Sequence, residues 1–314
     1  MKILLFGLGS IGKRHVRLLM QYYQHELFAY RSGVGDSVND LGIAEINDWS
    51  AVEKLKPDIA FITNPTKFHL STALECAQRG YKLFIEKPIG HSTDGLDQLL
   101  KIVQDKKLVT YVAYNLRFHP LILKLKEMIA NDHLLHMRVE CSSYLPDWRP
   151  GRRVEAIYSA RQDNGGGVIL DLSHELDYIS FLLGGMKELS GNFAKSSNVT
   201  VDAEDYADIL IKTDKTAVNL HLNYFSRIKK RQIQADFQGK TVNVDLINNS
   251  LTEYGAEDKP TQSNVPLEPD YTYTEQLQYF FANINNPKMM NNLPEAAGLF
   301  RQILKFKTGE KNNG

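Results

Sequence analysis

The sequence predicts an α/β protein that opens with a doubly wound parallel sheet and continues into a second domain with a mostly antiparallel sheet. Three observations support this class: a length of 314 residues, an early alternation of short apolar runs with helix-length segments, and closely spaced strand-like runs after residue 200. A chain of this length is long for one domain and sufficient for two, each with its own core. We therefore expect two domains.

Short apolar runs in the first part of the chain are typical of buried parallel strands joined by crossover helices. They are Ile3–Phe6, Leu27–Tyr30, Ile59–Thr63, Leu83–Ile85 and Val109–Tyr114. Apolar residues between Leu70 and Ala77 recur at helical spacing, and a second helix is predicted from Ser92 to Asp105. This pattern predicts a first domain over residues 1–118.

The pattern changes near Pro120, so residues 119–314 form the predicted second domain. A helix over 121–130 and an apolar run over 134–139 come first. The strand-like segments that follow are Tyr206–Lys212, Ala217–Phe225, Gln232–Phe237 and Thr241–Ile247. Gaps of hairpin length between them predict antiparallel pairing. Two helices, Tyr273–Ile284 and Pro294–Phe306, end the chain.

The composition indicates an ordinary globular protein with a small-molecule partner. Lys plus Arg (37) equals Asp plus Glu (37), so no net field attracts nucleic acid or an anionic membrane. The two cysteines, Cys76 and Cys141, lie among apolar residues and are expected to be inert. The apolar run at Ile3–Phe6 is too short for a signal peptide or a membrane span, which predicts a cytoplasmic protein. No metal site is predicted.

A glycine-rich segment, Gly7-Leu8-Gly9-Ser10-Ile11-Gly12, stands between the first predicted strand and the first helix. Glycines there permit a tight turn, close approach of a pyrophosphate and close helix packing, while the helix N-terminus offers amide donors. We predict a dinucleotide site; the alternative is a plain glycine turn. The contacts that we expect are Gly7, Gly9, Ser10, Ile11 and Gly12.

The end of the second predicted strand bears on the choice of dinucleotide. NAD-binding versions of this arrangement place an acidic residue about 20 positions after the glycines, but this chain has Tyr30-Arg31-Ser32 there. A guanidinium and a hydroxyl suit a 2′-phosphate, which favours NADP over NAD, with Arg31 and Ser32 as contacts. The alternative is that Arg31 is a solvated surface residue.

Two more loops follow the carboxyl ends of predicted parallel strands, where open α/β sheets bind ligands. Taken alone, Lys87 is typical of a surface lysine and His69 of a residue at a helix start. The residues there that we predict to contact the cofactor are Thr63, Asn64, Pro65, His69, Glu86 and Lys87.

A helix predicted after Gly165-Gly166-Gly167 brings polar residues together. At helical spacing Asp171, His174, Glu175 and Tyr178 share one face, opposite a stripe of leucine and isoleucine. Asp171 and His174 are thus predicted to share one site. The alternative is that Asp171 only caps the helix and His174 is exposed.

These motifs, in this order, resemble the glucose-fructose oxidoreductase, inositol dehydrogenase and rhizopine-catabolism family, Gfo/Idh/MocA. The landmarks are the early glycines, the Asn-Pro loop with His69, Glu-Lys-Pro, the Asn115–Pro120 segment (Asn-x-Arg-Phe-x-Pro) and the Gly-Gly-Gly helix. The resemblance covers nearly the whole chain. It implies a Rossmann first domain, an open-faced second sheet, and a final helix (about 294–306) that packs back toward the first domain.

The resemblance further implies hydride transfer between NAD(P) and a hydroxyl or keto carbon of a sugar, nucleotide sugar or sugar acid. Lys87 would lie beside the reacting carbon, and Asp171 and His174 would handle the hydroxyl proton. Family members commonly place the histidine four residues after the aspartate, whereas here the spacing is three. Whether His174 or Asp171 takes the proton stays open. Asn115 would contact the cofactor and Arg117 the substrate.

Other expectations concern substrate, activity and assembly. Tyr144, Trp148 and Arg149 lie in a loop whose aromatic and cationic groups suit a sugar ring with a phosphate or carboxylate; the alternative is a solvated domain-edge loop.

Two further activities stay open: redox-assisted elimination or glycoside hydrolysis with a retained cofactor, and a non-catalytic sensor or co-repressor. An open sheet face would expose apolar surface, so we expect a homodimer or homotetramer.

Overall fold

The computed structural model describes residues 1–31, 39–149, 151, 153–154, 158–256 and 259–309. The chain forms two compact units. Unit 1 comprises Met1–Ala113 with Leu277–Gly298, and unit 2 comprises Tyr114–Gln276 with Leu299–Gly314. The chain therefore returns to unit 1 near its C-terminal end, over Leu277–Gly298. The division at residue 118 and the docking of the final helix stay predictions.

Unit 1 contains the doubly wound sheet that the sequence predicts. Its strands are Lys2–Phe6 (β1), Glu26–Tyr30 (β2), Ala44–Ile46 (β3), Ile59–Ile62 (β4), Lys82–Ile85 (β5) and Thr110–Val112 (β6). They are all parallel, in the order β3-β2-β1-β4-β5-β6. The strand order reverses at β1, and ligands of open α/β sheets bind beside that point.

The helices of unit 1 cover this sheet. They are Ser10–Tyr22 (α1), Trp49–Leu55 (α2), His69–Gln78 (α3) and Leu96–Asp105 (α4). The expected start of α4 at Ser92 is wrong by four residues. The Ser92 hydroxyl hydrogen-bonds the Asp94 carboxylate at 2.9 Å, and Gly95 adopts a left-handed φ of 80°. A turn therefore precedes the helix, because helical residues require negative φ.

An aromatic cluster forms the centre of unit 1. The rings of Phe61 and Phe84 stack with centroids 4.3 Å apart, and Phe280 meets Phe84 edge-on at 5.3 Å. Phe280 lies on the helix Tyr271–Ala282 (α8). All three side chains are fully buried, and each contributes roughly 1.5–3 kcal/mol through removal from water.

Unit 2 contains the second sheet. Its strands are Leu134–Tyr144 (β7), Glu188–Ala194 (β8), Tyr206–Lys212 (β9), Ala217–Asn223 (β10), Phe225–Phe237 (β11), Thr241–Asp245 (β12), Ser250–Tyr254 (β13) and Thr261–Asn264 (β14). The order is β14-β13-β12-β11-β7-β10-β9-β8. Every neighbouring pair is antiparallel except β10 with β7. The mostly antiparallel sheet is thus confirmed.

The helices of unit 2 begin with Pro120–Asn131 (α5), Val168–Asp171 (α6) and Ser173–Leu183 (α7). Leu172 separates the last two because its backbone (φ −95°, ψ 28°) leaves the helical range. The single helix expected after the three glycines is therefore two helices. The final helix, Leu293–Thr308 (α9), begins in unit 1 and ends in unit 2.

The two faces of the second sheet differ in polarity. Along β9 buried and exposed residues alternate, and side chains such as Leu220 and Ile233 are buried on one face. The other face forms a shallow groove of about 700 Å³ that includes Arg138, Asp208 and Gln232. The strands alternate and place polar side chains outward on this face, beside exposed apolar residues such as Leu210 and Tyr254. The expectation that a second copy covers this face stays a prediction. Within the described residues, no helix combines the length and apolar composition that crossing a bilayer requires.

Candidate active site

The turn after β1 holds the three glycines of the predicted cofactor motif. Gly7 has a φ of +100°, and a Cβ there would lie 2.7 Å from the Cα of Asn64. A Cβ on Gly12 would lie 2.2 Å from the Gly7 carbonyl oxygen, whereas one on Gly9 would meet none of the described residues within 4 Å. Packing therefore requires the first and third glycines, and the second leaves the backbone open to a pyrophosphate.

Helix α1 begins directly at this turn. Gly9 is its N-cap residue and no side chain caps it. Ser10 is exposed and Ile11 half-buried in the first turn. The first amide groups of a helix have no intrahelical acceptor, so they offer donors and a positive dipole end to an anionic ligand.

The loop after β4 supports the glycine turn. The Thr63 hydroxyl donates to the Gly7 carbonyl oxygen at 2.7 Å, and only 5% of Thr63 is exposed. The Asn64 side-chain amide donates to the Thr72 hydroxyl at 2.9 Å, while Pro65 is exposed. Thr63 is therefore placed to fix the shape of the cofactor turn.

The end of β2 places a basic group beside an acidic one. The backbone amide of Arg31 donates to Ile46 at 2.8 Å, and its guanidinium lies 3.9 Å from the Glu45 carboxylate on β3. Ser32, the other residue expected to bind the 2′-phosphate, lies outside the described residues. No acidic residue stands at the end of β2, but Glu45 on the neighbouring strand β3 places a carboxylate there. The position of Glu45 in the sequence did not indicate this.

His69 joins the loop after β4 to the loop after β5. Its Nδ1 lies 2.7 Å from the Pro88 carbonyl oxygen, and its Nε2 lies 2.8 Å from that of Asn64. Burial lowers the pKa of His69, although the two carbonyl contacts act in the opposite direction. With 2% of the residue exposed, its position suits holding the loops together.

Glu86 is held by a histidine that sequence reasoning did not select. His15 on α1 is fully buried, and its Nε2 lies 2.6 Å from the Glu86 carboxylate. The other carboxylate oxygen accepts from the Lys87 amide at 3.2 Å. The signal for His15 was a polar residue on the buried stripe of α1, between Gly12 and Leu19.

Lys87 lies at the carboxyl end of β5 and is half-buried. Its backbone is anchored through Glu86, and Pro88 is anchored through His69. In unit 1 the glycine turn, the Asn64 loop and the Lys87 loop therefore follow the carboxyl ends of three neighbouring strands, β1, β4 and β5. This edge is where open α/β sheets bind ligands.

Unit 2 holds a cavity of about 280 Å³ that combines amide, imidazole, hydroxyl and charged groups. Its lining is Asn115, Leu116, His119, His174, Arg231, Leu246, Asn249, Leu267, Glu268, Asp270, Tyr271, Thr272 and Tyr273. The Asn115 amide donates to the Thr272 hydroxyl at 2.6 Å. The His174 ring meets the Tyr114 ring edge-on with centroids 5.8 Å apart. This mixture of groups suits a small polyhydroxylated molecule.

Asp171 does not line this cavity. It lies at the end of α6, 4% exposed, and accepts a hydrogen bond from the Tyr224 hydroxyl at 2.9 Å. His174 belongs to α7, beyond the break at Leu172. Of the two expected proton-handling residues, only His174 faces the cavity.

Other expected site residues are paired inside unit 2. Arg117 is 3% exposed, and its guanidinium bonds both oxygens of Asp177 at 2.9 and 2.7 Å. Glu175 is bonded by Arg231 at 2.7 Å. These geometries support structural roles for Arg117 and Glu175, because buried charges need partners.

The loop expected to contact substrate is also partly engaged. The Arg227 guanidinium lies 3.5 Å above the Tyr144 ring, and the Trp148 indole nitrogen donates to Ser143 at 2.8 Å. Trp148 keeps 37% of its surface exposed, and Arg149 is half-buried. Arg152, the next arginine of this loop, lies outside the described residues. In the described part of the chain, no three His, Cys, Asp or Glu side chains converge as a metal site.

The fold and the glycine turn define a dinucleotide-binding α/β protein with a second, sheet-based unit. Residues 1–114 match the sequence profile of the oxidoreductase family with an NAD-binding Rossmann fold, and residues 122–242 match that of the GFO/IDH/MocA C-terminal domain. The chain belongs to the GFO/IDH/MocA oxidoreductase family.

Among individual relatives, the chain is 25% identical over 152 residues to 2,7-anhydro-N-acetylneuraminate hydratase of Mediterraneibacter gnavus, covering 47% of this chain and 40% of that one. It is 24% identical over 257 residues to UDP-N-acetylglucosamine 3-dehydrogenase of Acidithiobacillus ferrooxidans, covering 79% and 75%. The chain thus spans less than half the length of the first of these relatives.

Solved structures show the same fold. A structure of the Acidithiobacillus ferrooxidans enzyme superposes with a TM-score of 0.80 at 20% identity, covering 98% of this chain and 97% of that one. An oxidoreductase from Agrobacterium radiobacter in complex with NAD⁺, L-tartaric acid and magnesium gives a TM-score of 0.83 at 16% identity, covering 100% and 97%. At these identities the likeness establishes the fold alone.

Proposed function

We propose that the protein is a nicotinamide-dependent oxidoreductase that transfers hydride between NAD(P) and a hydroxyl or keto carbon of a sugar, nucleotide sugar or sugar acid. The observation that carries the proposal is the cofactor turn of unit 1, with open space at Gly9, beside the anchored Lys87 loop. Family membership and relatives named for sugar derivatives support this substrate class.

The residues at the turn fit a dinucleotide. The space beside Gly9 is open, so a pyrophosphate could approach the backbone there. The first-turn amides of α1 would donate hydrogen bonds to it. When bound, the nicotinamide supplies the hydride acceptor or donor. Gly7, Gly12 and Thr63 keep the turn in shape, and His69, Asn64 and Pro65 belong to the neighbouring loop.

Proton handling falls to this chain's own residues. As hydride leaves an alcohol carbon, its oxygen loses a proton, and the Lys87 ammonium would stabilise the developing negative charge. We assign the proton to His174 because it lines the polar cavity of unit 2, whereas Asp171 is 4% exposed and bonded to Tyr224. Asp171 would supply negative charge that favours the protonated imidazole. Asn115, Trp148 and Arg149 stay candidate contacts.

Lys87→Ala is the decisive variant. We expect turnover to fall by about 10² to 10⁴ with cofactor affinity nearly unchanged, since the glycine turn binds the pyrophosphate. Lys82→Ala, at the start of the strand that precedes Lys87 and with its ammonium bonded to Asn285 at the surface, is the matched control and should keep full activity. The assay follows NAD(P)H absorbance with a panel of sugars, nucleotide sugars and sugar acids. Full activity of Lys87→Ala would refute the role of Lys87, whereas cofactor binding without any turnover in the unmodified protein would favour the sensor.

For the cofactor we propose a preference for NADP over NAD, carried by the Arg31 guanidinium. The Glu45 carboxylate at 3.9 Å opposes it, because a negative charge there repels a 2′-phosphate. Arg31→Asp should reverse the preference, and Glu45→Gln should strengthen NADPH binding. Tighter binding of NADH than NADPH by the unmodified protein, measured by fluorescence titration, would refute the role of Arg31.

A second candidate activity keeps the cofactor bound and uses transient oxidation to drive elimination, hydration or glycoside cleavage. The similarity to a hydratase supports this second candidate activity. The two activities differ in one observable. A dehydrogenase releases stoichiometric NAD(P)H in the absence of a second substrate, whereas a redox-neutral lyase or hydratase forms product without net absorbance change at the cofactor band.

We also propose that the protein assembles as a homodimer or homotetramer through the open face of the second sheet, and that it is cytoplasmic. The groove of about 700 Å³ on that face carries both polar and apolar groups, so the interface would combine hydrogen bonds with apolar contacts. Its partners would be a second copy and a small-molecule substrate, with no nucleic acid or membrane.

A further inference from the structure

Tyr224 occupies an irregular position between two strands. The sequence predicts one strand over 217–225, but β10 ends at Asn223 and β11 begins at Phe225. The Asn223 side-chain oxygen accepts from the amides of Phe225 at 3.2 Å and Ser226 at 2.9 Å, which closes a turn around Tyr224. The Tyr224 side chain is fully buried.

The backbone and ring of Tyr224 are fixed from several sides. Its amide donates to the Asp205 carbonyl at 2.9 Å, and its own carbonyl accepts from the Leu145 amide at 2.9 Å. The Trp148 ring meets its ring edge-on at 5.4 Å. Trp148 is itself held through the hydrogen bond to Ser143. A tyrosine ring held this way directs its hydroxyl along one line.

That hydroxyl donates to the Asp171 carboxylate at 2.9 Å, and both groups are buried. Hydrogen bonds to an ionised acceptor in a buried setting are stronger than neutral ones. Asp171 is the last residue of α6, immediately before the break at Leu172, and its amide donates to the Gly167 carbonyl at 3.0 Å. The Tyr224 bond adds a side-chain anchor to this backbone bond.

We propose that Tyr224 is a positioning residue for the site: it fixes the Asp171 carboxylate and thereby the electrostatic support that Asp171 gives to proton transfer. The proposal rests on the proposed function, in which Asp171 belongs to the reacting site. Trp148 contributes indirectly, because its contact restricts the orientation of the Tyr224 ring.

The test is a double-mutant cycle on turnover. Tyr224→Phe removes one oxygen and keeps the packing of the ring, and we expect kcat to fall about 10-fold with KM within about 2-fold. In the Asp171→Asn background, loss of the same hydroxyl should change kcat by less than about 2-fold, because Tyr224 acts through the charge. Equal falls in both backgrounds, or no fall in an active protein, would overturn the proposal.

Tyr178→Phe is the matched control. Tyr178 is fully buried on α7, and its hydroxyl finds no hydrogen-bond partner among the residues described. We expect unchanged kcat and unchanged or raised Tm, because only an unpaired polar atom is lost. A fall in kcat equal to that of Tyr224→Phe would mean that removing any buried hydroxyl disturbs the site, which contradicts the proposal.

Melting temperatures separate this proposal from the proposed function. If the hydrogen bond is present, the Tm losses of Tyr224→Phe and Asp171→Asn are not additive in the double variant. Additive losses would show that the two groups do not interact. Absence of any cofactor-dependent turnover in the unmodified protein, with non-additive Tm values, would instead refute the oxidoreductase assignment, and with it the role in positioning.

Discussion

The buried pair of His15 and Glu86 gives the sharpest stability prediction. The two side chains are in contact at 2.6 Å with exposures of 0% and 10%. His15→Leu removes the imidazole, while the Glu86 carboxylate keeps its bond to the Lys87 amide. The variant therefore leaves a carboxylate largely buried without its main partner, which is the costly way to break such a pair.

The expected size follows from these contacts. Leaving a buried carboxylate without its partner costs about 3–5 kcal/mol when the carboxylate stays charged. Glu86 keeps one backbone hydrogen bond and some exposure, so we expect a value near the lower end, about 3 kcal/mol. For a chain of 314 residues that corresponds to a Tm lower by roughly 4–5 °C. The double variant His15→Leu with Glu86→Leu should recover most of the loss, since an apolar pair needs no partner.

Differential scanning calorimetry and urea unfolding of the cofactor-free protein measure both variants. His25→Leu is the matched control: it makes the same change in unit 1, where His25 packs on Tyr23 at 5.5 Å and forms no ion pair within the described residues. It should cost less than about 1 kcal/mol. A Tm for His15→Leu equal to that of the control, or a double variant worse than the single one, would refute the reasoning.

Three further outcomes are expected. Burial lowers the pKa of His119, and its Nδ1 accepts from the Leu121 amide; stability should therefore decline as pH falls below about 6.5, the unfolded-state value. His119→Asn, which can still cap α5, should flatten that decline in urea titrations. Burial raises the pKa of Cys141 to about 12, so Ellman's reagent at pH 8 should label it only after unfolding. Light scattering should show a dimer or tetramer; a monomer at micromolar concentration would contradict the assembly.

The strands that the sequence predicts well are those whose residues are all apolar. The runs at Ile3, Ile59 and Leu83 lie in a sheet covered on both faces, and each became a strand within one or two residues of its expected bounds. β3, β8, β13 and β14 were missed because edge and half-exposed strands carry polar residues and leave no apolar run.

The glycine turn is the part of the site that the sequence predicts. Small residues directly after a strand are enough to indicate a tight turn and a close approach of ligand to the backbone. The partners of Arg117, Glu175 and Glu86 could not, because Asp177, Arg231 and His15 are 56 to 71 residues away from them. Tertiary packing pairs such charges, and no spacing rule in one sequence reveals it.

The one departure from the family pattern has a structural counterpart. His174 lies three residues after Asp171 instead of four, and a break at Leu172 places the two residues on different helices. Asp171 is the last residue of α6 and accepts a hydrogen bond from Tyr224, while His174 lines the polar cavity from α7. Under the proposed function these two positions correspond to two roles: the imidazole would exchange a proton, and the carboxylate would support it from a fixed position.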